Sequence, residues 1–160
     1  MIMKRKWGQH FLVRERYVQR MIELAGVQAG DKVLEIGPGR GVLTRALLEI
    51  GAFVRAVEID PTLQGFLQQE FAGSSQFQLL CGDALELLID ELLPSSQPAR
   101  IVANLPYNAA TAIFFHLLPL ERILEFLVLD GSVRGCSANL HYCRRGKIVR
   151  YTLSCRKSRI

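Results

Sequence analysis

Four apolar runs of this chain each end in a group that can do chemistry. The first, Val33-Leu34-Glu35-Ile36, leads into Gly37-Pro38-Gly39-Arg40-Gly41. Glycines at every second position let a ligand lie against the backbone. The second run ends in Glu58-Ile59-Asp60, and Glu58 stands 21 residues after Gly37. A carboxylate at that distance can accept hydrogen bonds from ribose hydroxyls. The third ends in Gly82-Asp83-Ala84. Asp83 can accept from an adenine amino group, or cap the helix that follows. The fourth ends in Asn104-Leu105-Pro106-Tyr107. Asn104 offers an amide oxygen, and Leu105 a backbone carbonyl in a segment stiffened by Pro106. Tyr107 offers a ring face for a base to stack on. Together they suit an exocyclic amine held with its lone pair toward an electrophile.

The glycine spacing discriminates between cofactors. A dinucleotide fingerprint, G-x-G-x-x-G, needs glycine at position 42, where Val42 stands. The pattern E-x-G-x-G-x-G suits an adenosine cofactor without a pyrophosphate, and S-adenosylmethionine is the candidate.

The elements that must position these groups alternate. Helical spacing predicts a helix over 14–25, strands over 33–36, 53–57, 77–80, 100–103 and 124–129, and helices over 41–50, 61–71, 84–92 and 109–118. Alternation of this kind predicts a parallel sheet with helices on both faces. Ligands of such sheets bind beyond the carboxyl ends of the strands, where the four polar groups fall.

The 160 residues are 49% hydrophobic and carry a net charge of +5. Residues 1–130 hold 12 Lys/Arg against 15 Asp/Glu; residues 131–160 hold 8 Lys/Arg and no acid. No apolar run reaches the roughly 18 residues of a membrane helix. The N-terminus is basic without the apolar core of a signal peptide, so a cytoplasmic protein is expected. Cys136, His141, Cys143 and Cys155 match no zinc spacing, and no metal is expected.

At these residues the chain resembles the ribosomal RNA adenine N6-dimethyltransferases, which include KsgA-type small-subunit enzymes and Erm-type resistance methylases. The matching pieces are Gly8-Gln9-His10-Phe11-Leu12, Leu34 to Thr44, Glu58-Ile59-Asp60, Gly82-Asp83-Ala84-Leu85, and Val102 to Asn108 followed by Thr111. Leu105 favours the KsgA type, since Erm-type enzymes more often carry isoleucine there. The resemblance implies an α/β class I S-adenosylmethionine-dependent methyltransferase fold, Rossmann-like and incomplete at the C-terminus. It implies cofactor contacts at His10, Leu12, Gly37, Gly39, Glu58, Asp83 and Asn104. Catalysis would rest on Asn104, Leu105, Pro106 and Tyr107. The basic arm around Lys4 to Leu12 would fold over the cofactor and meet RNA. The implied reaction is two methyl transfers to N6 of each of two adjacent adenosines near the 3′ end of small-subunit rRNA. The partner would be that rRNA in immature small subunits, and the protein a monomer. A non-catalytic ribosome-assembly factor, an Erm-type large-subunit methylase and a small-molecule methyltransferase are the rival readings.

The resemblance covers a methyltransferase domain over 1–130 and stops there. Residues 131–160 form a basic, cysteine-rich tail with no clear strand or helix period. One synonymous codon choice for Lys147 to Cys155, read one base later, spells Lys-Ser-Tyr-Gly-Thr-Leu-Ser-Val. That is similar to a segment of the family at this distance. The tail is thus either out of frame or a natural basic extension suited to phosphate contacts. A truncated sheet would leave the fifth strand uncovered. It predicts marginal stability and impaired dimethylation.

Overall fold

The computed structural model describes residues 16–88, 99–117, 124–133, 136–143 and 150–155. Helix α1 occupies residues 16–25. It buries Val18, Met21, Ile22 and Ala25, the single stripe of an amphipathic helix. Strand β1, Lys32–Ile36, buries every residue after Lys32, as a central parallel strand must. Helix α2, Val42–Glu49, turns Leu43, Thr44 and Leu47 inward. Strand β2, Phe53–Glu58, leads to helix α3, Pro61–Glu70. Pro61 opens that helix, and Asp60 caps it by accepting the Thr62 N–H at 2.8 Å. Removing this cap with Asp60→Ala is expected to cost about 1 kcal/mol in a denaturant melt. Strands β3, Phe77–Cys81, and β4, Ala99–Pro106, follow. Then come helix α4, Tyr107–Leu117, and strands β5, Leu124–Val133, β6, Cys136–Cys143, and β7, Arg150–Cys155.

The seven strands form one sheet in the order β3-β2-β1-β4-β5-β6-β7. Strands β1 to β5 are parallel; β6 and β7 run antiparallel to their preceding neighbours. The chain builds outward from β1 through β2 to β3, then crosses to the other side of β1 for β4. Right-handed crossovers therefore set α2 and α3 on one face and α4 on the other. Val33, Val54, Ala56 and Val102 pack with α1 and α2 in one core. Ile101 and Ala103 alternate to the opposite face, and α4 buries Ile113 and Leu117. Arg100 ties α1 to the sheet: its Nη1 donates to the Ala25 carbonyl at 2.6 Å, and its Nε lies 3.1 Å from Asp31. Among the described residues no helix is long and apolar enough to cross a membrane.

Four expectations need correction. Strand β4 carries on through Asn104-Leu105-Pro106 and α4 starts at Tyr107, so the motif is a strand end joined directly to a helix. Residues 84–88 form a turn and bend rather than the start of a regular helix; the remainder of the helix expected over 84–92 lies outside the described residues. Strand β5 is not an uncovered edge, because β6 pairs along it from Phe126 to Val133. The tail has a period of two after all. Cys136, Ala138, Leu140 and Tyr142 alternate with polar residues up to His141, and Tyr151 and Leu153 alternate with Thr152 and Ser154. The register sets Leu140 opposite Tyr151 and Ala138 opposite Leu153, apolar against apolar.

Candidate functional site

The switch from β1 outward to β4 opens a crevice at the strand ends. Its floor is the glycine turn. The Gly37 N–H donates to the Val57 carbonyl and the Gly41 N–H to the Pro38 carbonyl, each at 2.9 Å. Gly37 has φ +69°, and a Cβ there would lie 2.4 Å from Leu105 Cδ2. Gly41 has φ +72°, and a Cβ there would meet the Phe71 ring at 2.7 Å. Phe71 is held by two neighbours. Phe77 lies 4.8 Å away between centroids, Arg45 sits 5.8 Å over the ring, and Arg45 is paired with Glu70. Both glycines are therefore required by backbone conformation and by close neighbours together.

Glu58 ends β2 and is buried. Its Oε1 accepts the N–H groups of Ile59 and Asp60 at 2.9 Å each, and its Oε2 accepts the Gly39 N–H at 3.2 Å. A carboxylate has about four acceptor sites, so about one remains for a ligand hydroxyl. Glu58 thus holds the glycine turn as well as facing the crevice. Asp83 uses Oδ1 to cap its own turn, accepting the Leu85 N–H at 2.9 Å. That is the capping reading, and it leaves Oδ2 for the ligand reading.

Glu35 lies beneath the turn. Its carboxylate is 1% exposed and accepts the Thr44 hydroxyl at 2.7 Å, tying β1 to the first turn of α2. Gly41, the residue before α2, provides no side-chain cap. Burial pushes the Glu35 carboxyl up to about 7, the nearby Glu58 charge adds to this, and the Thr44 bonds oppose it. The folded chain then holds a proton that the unfolded chain has lost. This contributes stability present below pH 4.5 and lost as pH rises through 7. The ligand-free melting temperature is expected to fall between pH 5 and pH 7.5, and Glu35→Gln to flatten that fall.

Gly37, Glu58, Ile59, Asp83, Leu85 and Leu105 line one cavity of about 220 Å³, together with Ala109 and Ile113 of α4. The structure thus brings together Gly37, Glu58, Asp83 and Leu105 from four strand ends. Asn104 follows Ala103, the register partner of Ile36, and so stands level with Gly37. For Asn104, Pro106 and Tyr107 the structure describes the backbone course only. His10 and Leu12 lie outside the described residues. Eight lining residues were not among the expected site residues: Ile36, Val57, Ile59, Gly82, Ala84, Leu85, Ala109 and Ile113. Ile59 and Leu85 are 62% and 41% exposed. An apolar side chain one or two residues after each strand-end carboxylate was the available signal.

These residues fit an adenosine cofactor. At Gly39 a Cβ would meet nothing within 4 Å, so the turn opens onto free space. Exposed apolar side chains at Ile59 and Leu85 give a planar ring a surface beside the carboxylates of Glu58 and Asp83.

The profile of a family described as ribosomal RNA adenine dimethylase matches residues 2–132. The chain is 43% identical over 115 residues to ribosomal RNA small subunit methyltransferase A of Pseudomonas fluorescens, covering 72% of this chain and 42% of that protein. It is 42% identical over 126 residues to the protein of the same name from a Synechococcus species, covering 77% and 45%. The chain spans about half the length of the curated relatives it matches. Among solved structures, the 23S rRNA methyltransferase ErmE superposes with a TM-score of 0.63 at 28% identity, covering 74% of this chain and 46% of that one. A dimethyladenosine transferase from Plasmodium falciparum superposes at 0.59 and 26%, covering 72% and 40%.

Proposed function

The chain belongs to the ribosomal RNA adenine dimethylase family, and from that premise we propose that it is the catalytic half of an enzyme that dimethylates N6 of adjacent adenosines in small-subunit rRNA. The observation that carries this reading is the meeting of Gly37, Glu58, Asp83 and Leu105 in one cavity with Asn104 level with the turn. S-adenosylmethionine supplies an electrophilic methyl group when bound. Gly37 and Gly39 give the cofactor a backbone surface without side chains. Glu58 offers a ribose hydroxyl its remaining acceptor site, and Asp83 Oδ2 accepts from the adenine amino group. In this reading His10 and Leu12 are cofactor contacts as well.

The target adenosine must be unstacked before its N6 can enter, at roughly a few kcal/mol. Tyr107 takes the unstacked base on its ring face. The Asn104 amide oxygen and the Leu105 carbonyl accept the two N6 hydrogens, which aims the nitrogen lone pair away from them. Pro106 keeps that carbonyl in place. Positioning of this kind supplies the rate, so no strong general base is needed. The N6 proton leaves to water once the nitrogen has gained its methyl group.

The methyltransferase unit in this reading spans residues 1–130, and residues 131–160 are a basic extension of it. The protein acts as a monomer in the cytoplasm, on immature small subunits. Transfer of labelled methyl from S-adenosylmethionine tests the reading. Label in N6-dimethyladenosine of small subunits is expected; cofactor binding with no transfer would instead make the chain a non-catalytic assembly factor.

A further inference from the structure

Glu35 is a buried carboxylate that the proposed mechanism does not use. Its neighbours across the sheet are apolar, Ala56 on β2 and Val102 on β4. From α2 the Thr44 hydroxyl donates to it. The charge that bears on it is the Glu58 carboxylate. The cations of the turn and of α2, Arg40 and Arg45, are exposed, and Arg45 is committed to Glu70. Among the described residues, two carboxylates therefore flank the glycine turn and no buried cation offsets them. A structural carboxylate needs a permanent partner when buried; the hydroxyl of Thr44 is neutral.

We propose that Glu35 makes the site prefer the sulfonium cofactor to its demethylated product, by placing buried negative charge beneath the glycine turn when it is ionised. The inference rests on the S-adenosylmethionine reading of the site. The cofactor and the product share the adenosine and the amino-acid groups and differ in one positive charge at sulfur. A cation held on the turn stabilises ionised Glu35, so its binding expels the proton that the ligand-free protein retains near neutral pH. The neutral thioether of the product gives no such stabilisation. Linkage sets the sign: the cofactor binds more tightly as Glu35 ionises, and the product does not. Glu35 acts through the field at the turn and makes no contact of its own, which makes it a specificity-determining positioning residue. The consequence is useful to an enzyme that must exchange product for fresh cofactor between two transfers.

The test is calorimetric titration of the full chain with S-adenosylmethionine and with S-adenosylhomocysteine at pH 6, 7 and 8. The sulfonium charge lowers the amino pKa of the cofactor below that of the product, so each free ligand is titrated separately and its amino-group contribution is subtracted before the ratio is taken. In the native chain the preference for the cofactor is expected to rise by up to about tenfold across this range. In Glu35→Gln, which keeps an oxygen for the Thr44 hydroxyl, the ratio is expected to stay flat. A flat ratio in the native chain, or an equal slope in both proteins, overturns the inference. Should Glu35→Gln not fold, proton release by the native chain decides. At pH 7, buffers of different ionisation enthalpy are expected to show a fraction of a proton released with the cofactor and none with the product. Equal release with both ligands overturns the inference and leaves the cofactor reading intact; failure of both ligands to bind removes the two together.

Discussion

Gly37→Ala is expected to lower stability by about 3 kcal/mol and to weaken S-adenosylmethionine binding roughly tenfold or more. Two costs add. The backbone at +69° is left-handed, which a Cβ penalises by about 1–2 kcal/mol. The new methyl group would also lie 2.4 Å from Leu105 Cδ2. Overpacking of this kind costs about 1–3 kcal/mol. Leu105 is half-buried on the cavity wall, so it can yield only by turning into the ligand space or by moving the end of β4. The two costs can be separated. Adding Leu105→Ala removes the collision and leaves the strain, so the double variant is expected to recover about 1–2 kcal/mol relative to simple addition. Gly39→Ala provides a second comparison. Its φ of +58° carries similar strain, but its Cβ would meet nothing. A denaturant melt of the native chain, Gly37→Ala, Leu105→Ala, the double variant and Gly39→Ala checks the ordering. Equal losses for Gly37→Ala and Gly39→Ala, with no recovery in the double variant, would show that the turn and the strand-end motif are not coupled through Leu105.

That coupling was invisible in the one-dimensional pattern, whereas the turn itself was not. Glycines at 37, 39 and 41 announce a backbone that must pass close to something, but the pattern does not say what. At Gly41 the neighbour is Phe71, thirty residues on, and at Gly37 it is Leu105. Contacts between residues so far apart depend on sheet order, which alternation of strands and helices leaves open. The shared end of the sheet was legible all the same, because each polar group follows an apolar run and so falls at the carboxyl end of its strand. Glu35 was legible as part of the motif but not as a buried acid. A carboxylate inside an apolar run reads as a turn residue until the structure places Thr44 against it. The tail failed for a different reason. Its charge and cysteines drew attention from the alternation in Cys136–Cys143, a weak signal over eight residues that the pairing with β5 makes plain.

Glu58 is where the structural and chemical demands on the site meet, and its two substitutions separate them. Glu58→Ala strands three backbone N–H groups, those of Gly39, Ile59 and Asp60. Each unpaired buried donor costs about 1–3 kcal/mol, so a loss of roughly 3–5 kcal/mol is expected, since water can reach some of them. Glu58→Gln is the sharper test. Its amide oxygen can replace Oε1 and keep Ile59 and Asp60. Its NH2 group then stands where Oε2 stood, donor against the Gly39 N–H, with no acceptor left for a ribose hydroxyl. The expected stability loss is about 1–2 kcal/mol. The cofactor should suffer more, because a hydrogen bond to a charged acceptor contributes about 1.5–3 kcal/mol, which is about 10-fold to 100-fold in affinity. Titration with S-adenosylmethionine, set beside titration with its 2′,3′-dideoxyribose analogue, assigns the loss. The analogue lacks the hydroxyls and is expected to bind native and Glu58→Gln chains about equally. A drop of the same size for both ligands would mean that Glu58 serves the turn alone, and that the ribose is held by other residues.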